Sequence, residues 1–210
     1  MSGAIYGLAG VVIGALLTWI KDWWVERKSL NRQACYLAIR VVCILDKFVE
    51  DCVDVINDDG LCEGRRDSDG CLEPQVELPD FPSFPVDVDW RSIKHDLMYR
   101  VLSLPRDVEI ADQTIRHSWD ISGPPDFDEF FEERKYQYAC LGLSAAELAR
   151  VLRNTYSIPE RDFVHWNPVK TLRDKKDTIE DQRRAPKSQS WFFDESTALN
   201  SSEQGELKKF

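Results

Sequence analysis

Basic residues are too few in this sequence for bulk nucleic-acid binding. The 210 residues include 27 Lys and Arg against 37 Asp and Glu, whereas nucleic-acid binding needs a basic surface that displaces counterions. The charge is also unevenly spread. Residues 21–40 hold five basic and two acidic side chains, and residues 57–90 hold two basic and ten acidic ones. We therefore expect no nucleic-acid partner.

Histidine is scarce, and the residue patterns that commit a chain to a reaction are missing. His95-Asp96 resembles the His-Asp pair of metal-dependent phosphohydrolases, but no histidine precedes it, and only His117 and His165 follow. The acidic residues of 126–133 include no Glu-x-x-His pair for a di-iron bundle. Acidic residues at the start of a helix interact favourably with its dipole, and Glu129 can pair with Arg134.

Other site patterns fail for similar reasons. Asp67-Ser68-Asp69-Gly70 is similar to the middle of a calcium loop but lacks its first and last ligands. No phosphate loop, nucleophile elbow or zinc spacing is present. We predict no catalytic, cofactor-binding or metal-binding residues, no cofactor and no enzyme activity. The six cysteines are expected to be buried reduced thiols rather than disulfides.

The longest uncharged run covers residues 3–20 and reads GAIYGLAGVVIGALLTWI. Eighteen such residues are about the minimum for a helix that crosses the hydrocarbon core. No basic region precedes the run and no small-residue cleavage site follows it, so it differs from a signal peptide. The run predicts a single transmembrane helix, with residues typical of a membrane interface at Trp19, Lys21, Trp23 and Trp24. A buried helix is the alternative.

The charges around this run predict its orientation. Only the terminal amine lies before it, and five basic residues follow between positions 21 and 40. Because positive flanks stay in the cytoplasm, we expect a single-pass protein with a cytoplasmic C-terminal domain, in a bacterial inner membrane. The layout resembles that of single-span bacterial membrane proteins, a resemblance that implies no activity.

Four glycines in the run, spaced 4, 3 and 4 residues apart, fall on one helix face: Gly3, Gly7, Gly10 and Gly14. Small residues at this spacing let another membrane helix approach closely. They therefore predict a packing face for a second copy of the chain or for another membrane protein. The alternative is that glycine is simply common in membrane spans.

The remaining sequence predicts an all-α fold, with no strand pattern of any length. Apolar residues at 34, 38, 41, 45, 48, 52 and 55 form a heptad seam in a long first helix. Further helices are expected from Asp89 to Pro105, over 106–119, from Asp126 or Asp128 to Tyr156 with a break near Gly142, and from Asn167 to Gln182. The span thus continues into a bundle of about four helices.

The predicted organisation has four parts. Residues 1–22 form the anchor, 23–158 the bundle with a long acidic, Pro-rich loop over 61–88, 159–184 a short peripheral helix, and 185–210 a disordered tail. Together these features predict a membrane-anchored, non-catalytic interaction or scaffold protein that contacts the lipid bilayer. The alternatives are an enzyme whose carboxylate and histidine site is assembled only by the fold, and a small membrane-active, toxin-like protein.

Overall fold

The protein is described by a computed structural model that covers residues 2–81, 83–161 and 166–185, with side chains left out for residues 2–13 and Ala15. A short 3₁₀ helix, Trp90–Ser92, precedes the second of four α-helices. These are α1 (Ser2–Asn57), α2 (His95–Ile121), α3 (Asp128–Tyr156) and α4 (Pro168–Arg184). No β-strand occurs within the described ranges. The predicted all-α class is confirmed.

The chain divides into two compact units, residues 1–177 and 178–210. The boundary falls within α4, and the second unit is described only as far as Ala185. Apart from that residue, the predicted tail lies outside the described part of the chain, as does His165. The domain boundaries proposed from the sequence stay predictions.

The heptad seam of α1 is confirmed as the centre of the core. All seven seam residues are buried, from Ala34 to Val55, and Phe48 is fully inaccessible. α1 packs mainly against α3. At about 1.5 Å per residue, the 56 residues of α1 extend roughly 84 Å. Residues 16–33 of α1 are all exposed, so only its second half belongs to the bundle.

α2 is one helix, so the predicted end at Pro105 is wrong. Proline inside a helix removes one backbone hydrogen bond and costs about 3 kcal/mol. The continuous helix keeps a buried stripe in register on both sides of Pro105, at Leu97, Val101, Leu104, Val108, Ala111 and Ile115. Burial of this stripe against α3 offsets the proline penalty. The predicted start at Asp89 is also corrected, because Asp89 caps the 3₁₀ helix and α2 begins at His95.

α3 has the predicted limits but not the predicted break near Gly142. The helix is continuous there, and a Cβ atom at Gly142 would lie 2.8 Å from Leu172 Cδ1 and 3.0 Å from Cys52 Cβ. Glycine therefore permits close packing between α1, α3 and the start of α4, which outweighs its low helix propensity. α4 begins as predicted, with the Asn167 side chain accepting a hydrogen bond from the Lys170 N–H.

The acidic loop is held against the bundle. Residues 58–89 contain no α-helix, but their apolar side chains pack on the core at positions 72, 76, 78, 81, 84 and 88. Phe81 contacts Phe48 of α1, with ring centroids 4.8 Å apart, and Phe84 contacts both Phe81 and Trp90. The loop thus covers one side of the core rather than acting as a spacer.

The structure does not support the predicted transmembrane span. In the part of the chain whose side chains are described, no helix has a stretch long and apolar enough to cross a membrane. Most of the uncharged run 3–20 lies outside that part, because the side chains of residues 1–13 and of Ala15 are not described. What the structure shows for this run is its backbone, which forms the start of α1 from Ser2 onward.

Candidate functional site

The exposed half of α1 carries an unusual concentration of large apolar side chains. We call this group the apolar segment; it comprises Leu16, Leu17, Trp19, Ile20, Trp23, Trp24 and Val25. Trp19 and Trp24 are each 69% exposed. A contiguous apolar surface of this kind marks a site that contacts a partner protein or a membrane.

The predicted interface residues all lie in this region and are all exposed. Trp19, Trp23 and Trp24 belong to the apolar segment, and Lys21 lies between them on α1. The Arg27 guanidinium lies over the Trp23 ring, 4.9 Å from its centroid. Tryptophan next to cationic side chains is typical of the level where a membrane meets water.

Of the four glycines predicted to form a packing face, only Gly14 has described surroundings. Gly14 is exposed, and a Cβ atom there would meet nothing within 4 Å. Gly3, Gly7 and Gly10 share the α1 backbone, but their surroundings lie outside the described part. The packing face stays a prediction.

A groove lies where α1 leaves the bundle; we call it the neck groove. It has a volume of about 920 Å³, and its walls come from α1, from the residues just before α2 and from the end of α3. Three cationic side chains line it, those of Arg27, Lys28 and Lys94, and none of its lining residues is acidic. The Lys94 N–H donates a hydrogen bond of 3.1 Å to the Tyr156 hydroxyl, which ties the start of α2 to the end of α3.

A second cleft, of about 560 Å³, lies between α1, α3 and the start of α4 and is lined by charges of both signs. Three of its four arginines pair with carboxylates of the chain. Arg153 lies 2.5 Å from Asp46, Arg161 lies 2.6 Å from Glu50, and Arg150 lies 2.7 Å from Glu147. The hydrogen bond from Arg150 lowers the pKa of Glu147, whereas a carboxyl acting as a general acid needs a raised pKa. Glu147 therefore lacks the raised pKa of a general acid.

The structure does not bring His95 and His117 together. His95 and His117 are both exposed on α2, and their 22-residue separation corresponds to about 33 Å along the helix. Asp126 pairs with Arg66 at 2.5 Å. Within the described ranges, no group of three His, Cys, Asp or Glu residues is placed to hold a metal ion. Asp67 accepts hydrogen bonds from the backbone of Asp69 and Cys71.

Sequence reasoning missed a buried ion pair. Arg134 does not take the surface position implied by a pairing with Glu129. Its Nη1 atom lies 2.6 Å from Asp58 Oδ2, and both side chains are 1% exposed. Asp58 also accepts hydrogen bonds from the N–H groups of Gly60, Gln75 and Val76, and Arg134 donates one to the Val76 carbonyl. The pair thus fastens the acidic loop to α1 and α3.

Two other buried titratable groups are held in their neutral forms. The Tyr138 hydroxyl donates to Asp112 Oδ1 at 2.9 Å, and burial, reinforced by the Asp112 charge, raises the pKa of Tyr138. Burial also raises the pKa of the Cys52 thiol, which makes that thiol a poor nucleophile. All six cysteines are free, as predicted, but only Cys52 is buried. Cys43 and Cys62 are exposed and the other three are partly buried, so the prediction of buried thiols is confirmed for Cys52 alone.

Comparisons of this chain with protein-family models, with curated proteins and with solved structures find no match.

Proposed function

We propose that the protein is a membrane-anchored, non-catalytic helical interaction protein. The apolar segment is the observation that carries this proposal. It continues an uncharged run over residues 3–15, and its seven large side chains are exposed. Burying each of them gains roughly 1 kcal/mol or more. Insertion of the first part of α1 into a bilayer provides that burial.

The charges around the apolar segment support an orientation with the bundle in the cytoplasm. Five basic residues follow the uncharged run: Lys21, Arg27, Lys28, Arg32 and Arg40. Basic flanks are retained on the cytoplasmic side of a single-span protein. Six free cysteines are compatible with a reducing compartment. A bacterial inner membrane is the setting we propose.

An interaction role is favoured over catalysis because the titratable groups of the described bundle serve packing. Asp58 and Arg134 hold the loop, and Tyr138 links α3 to Asp112 of α2. Three of the four arginines that line the second cleft have carboxylate partners. An enzyme would need a pocket with converging groups of perturbed pKa. A toxin-like protein would make lipid vesicles leak their contents. Our proposal does not require such leakage, so a vesicle-leakage assay distinguishes the two.

Alkaline carbonate extraction of membranes from expressing cells tests the anchor. We expect the full chain to stay in the membrane pellet and a variant comprising residues 21–210 to appear in the supernatant, because only the full chain contains the uncharged run. A reporter fused to the C-terminus that fluoresces only in the cytoplasm tests the orientation. Release of the full chain by carbonate, or a reporter active only outside the cytoplasm, contradicts the proposal.

We further propose self-association through the glycine face as the source of an oligomer. Replacement of Gly10 and Gly14 by Ile pushes a partner helix outward, because only small side chains permit close backbone approach in hydrocarbon. We expect the double variant to abolish dimerisation of residues 1–24 in a genetic assay. Val12→Ile and Leu16→Ile together serve as the control, because both positions lie on the side of the helix opposite the glycines. Equal signals from the native segment and the glycine variant rule out homotypic pairing and leave a different membrane partner.

A further inference from the structure

The neck groove has the composition of a binding site for an anionic ligand. Its three charged lining residues, Arg27, Lys28 and Lys94, are all cations. The two acidic residues of this part of α1, Asp22 and Glu26, do not line it. At about 100° per residue, both lie more than about 100° around the helix from the middle of the lining face. The face of α1 that lines the groove therefore carries the cations Arg27 and Lys28 and neither of these carboxylates.

The aromatic side chains of the groove place it at a membrane surface. Trp23 and Trp24 line the groove and also belong to the exposed apolar segment. Counted from Ile20, the last residue of the uncharged run, Trp23 lies about 5 Å and Arg27 about 10 Å further along α1. The headgroup layer begins at the edge of the hydrocarbon and is roughly 5–8 Å thick. Long basic side chains at this level reach back to phosphate groups.

The contacts of the lining residues are suited to a phosphodiester. The stacking of Arg27 on Trp23 fixes the plane of its guanidinium, and guanidinium groups bind phosphate oxygens in a two-pronged manner. Lys94 is exposed and comes from a different element, so the cations line the groove from two sides. Tyr156, held by the Lys94 N–H, adds a hydroxyl at the same wall.

We propose that the neck groove binds the headgroup of an anionic glycerophospholipid. This inference rests on the proposed function, because the groove meets lipid only if the first part of α1 is in the bilayer. A bound headgroup orients the bundle relative to the membrane surface and makes its attachment dependent on lipid composition. The recognised feature is the lipid phosphodiester with its net negative charge.

Native mass spectrometry of the full chain tests the inference. The chain is released from mixed micelles that contain equal amounts of phosphatidylglycerol and phosphatidylcholine. We expect roughly tenfold more bound phosphatidylglycerol than phosphatidylcholine, on the scale set by a few cations at a membrane surface. The variant Arg27→Gln, Lys94→Gln should lower this ratio to near one. Arg27→Lys, which keeps the charge, should retain most of the enrichment.

The matched control is Arg32→Gln, Arg91→Gln. Both residues are exposed cations that do not line the groove, so the control loses the same net charge. The control should keep most of the native ratio of bound phosphatidylglycerol to phosphatidylcholine. Equal losses in the two double variants overturn the inference, since they show diffuse attraction to the whole basic surface. A ratio of bound phosphatidylglycerol to phosphatidylcholine near one for the native chain also overturns the inference. Displacement of the lipid by millimolar inorganic phosphate overturns it as well.

Carbonate extraction of the same variants separates this inference from the proposed function. If the full chain stays in the membrane and the two double variants bind lipid equally, only the headgroup site is wrong. If the native chain leaves the membrane, the anchor is wrong and the groove has no bilayer to contact. Circular dichroism checks that the variants keep the native helix content.

Discussion

Replacement of Arg134 by Met is expected to lower the free energy of unfolding by about 3–5 kcal/mol, the cost of removing one partner from a buried ion pair. The variant leaves the Asp58 carboxylate 1% exposed, without its cation. It also removes the hydrogen bond to the Val76 carbonyl. Urea unfolding of the full chain in a mild non-ionic detergent, followed by circular dichroism, measures the change.

The double variant Arg134→Met, Asp58→Asn distinguishes a buried charge from lost packing. The double variant removes both charges, and Asn keeps one acceptor oxygen, either for the Gly60 N–H or for those of Gln75 and Val76. It should therefore be less destabilised than Arg134→Met alone. Arg150→Met is the matched control on the same helix. The Arg150–Glu147 pair is about half exposed and should contribute less than about 1 kcal/mol. Equal effects of Arg134→Met and the control contradict the prediction.

The stability that the Asp58–Arg134 pair contributes should depend on pH in a defined direction. Burial alone would raise the pKa of Asp58, but the hydrogen bonds from Gly60 and Val76, together with Arg134, outweigh burial and lower it. A lowered pKa contributes stability that is present above the unfolded value of about 4 and is lost as the pH falls through the folded value. The difference in unfolding free energy between the native chain and Arg134→Met should therefore become smaller below about pH 4.

The ion pair also shows where sequence reasoning reached its limit. Asp58 and Arg134 are 76 residues apart in the chain, and no local spacing links them. Local spacing favours a pairing of Arg134 with Glu129, five residues earlier. Arg134 instead enters the core because the loop brings the Asp58 carboxylate and the Val76 carbonyl to it. The packing of the loop could not be read from its composition, since it depends on partners in distant helices.

The helices were more predictable because their signals are periodic and local. The seam of α1 and the limits of α3 follow from apolar spacing alone. The predicted helix end at Pro105 and the predicted break near Gly142 were wrong for the same reason. Each has a local propensity against helix, and in each case tertiary packing dominates, through the stripe of α2 or the close approach of Leu172. The neck groove could not be predicted either, since its cations come from separate elements.

Replacement of Phe48 by Ala is the second change with a large expected effect, a loss of about 3–5 kcal/mol in unfolding free energy. Phe48 is fully buried in the seam of α1, and its ring contacts Phe81 of the acidic loop. The cavity therefore opens where the loop meets the helices. Phe48→Leu, which keeps much of the volume, should lose less than about 1.5 kcal/mol. Urea unfolding in detergent compares the variants.

Limited proteolysis shows whether the loop is released together with this loss of stability. Arg65 and Arg66 are exposed trypsin sites in the acidic loop. Near its other end the loop is attached to α1 through the contact of Phe81 with Phe48. Cleavage there should be faster in Phe48→Ala than in Phe48→Leu, because local opening becomes easier when the packed ring is removed. Tyr36→Ala, on the exposed face of the same helix, is the control and should change stability by less than about 1 kcal/mol. If Phe48→Ala unfolds and is cleaved like the control, the loop is not held by the core of α1.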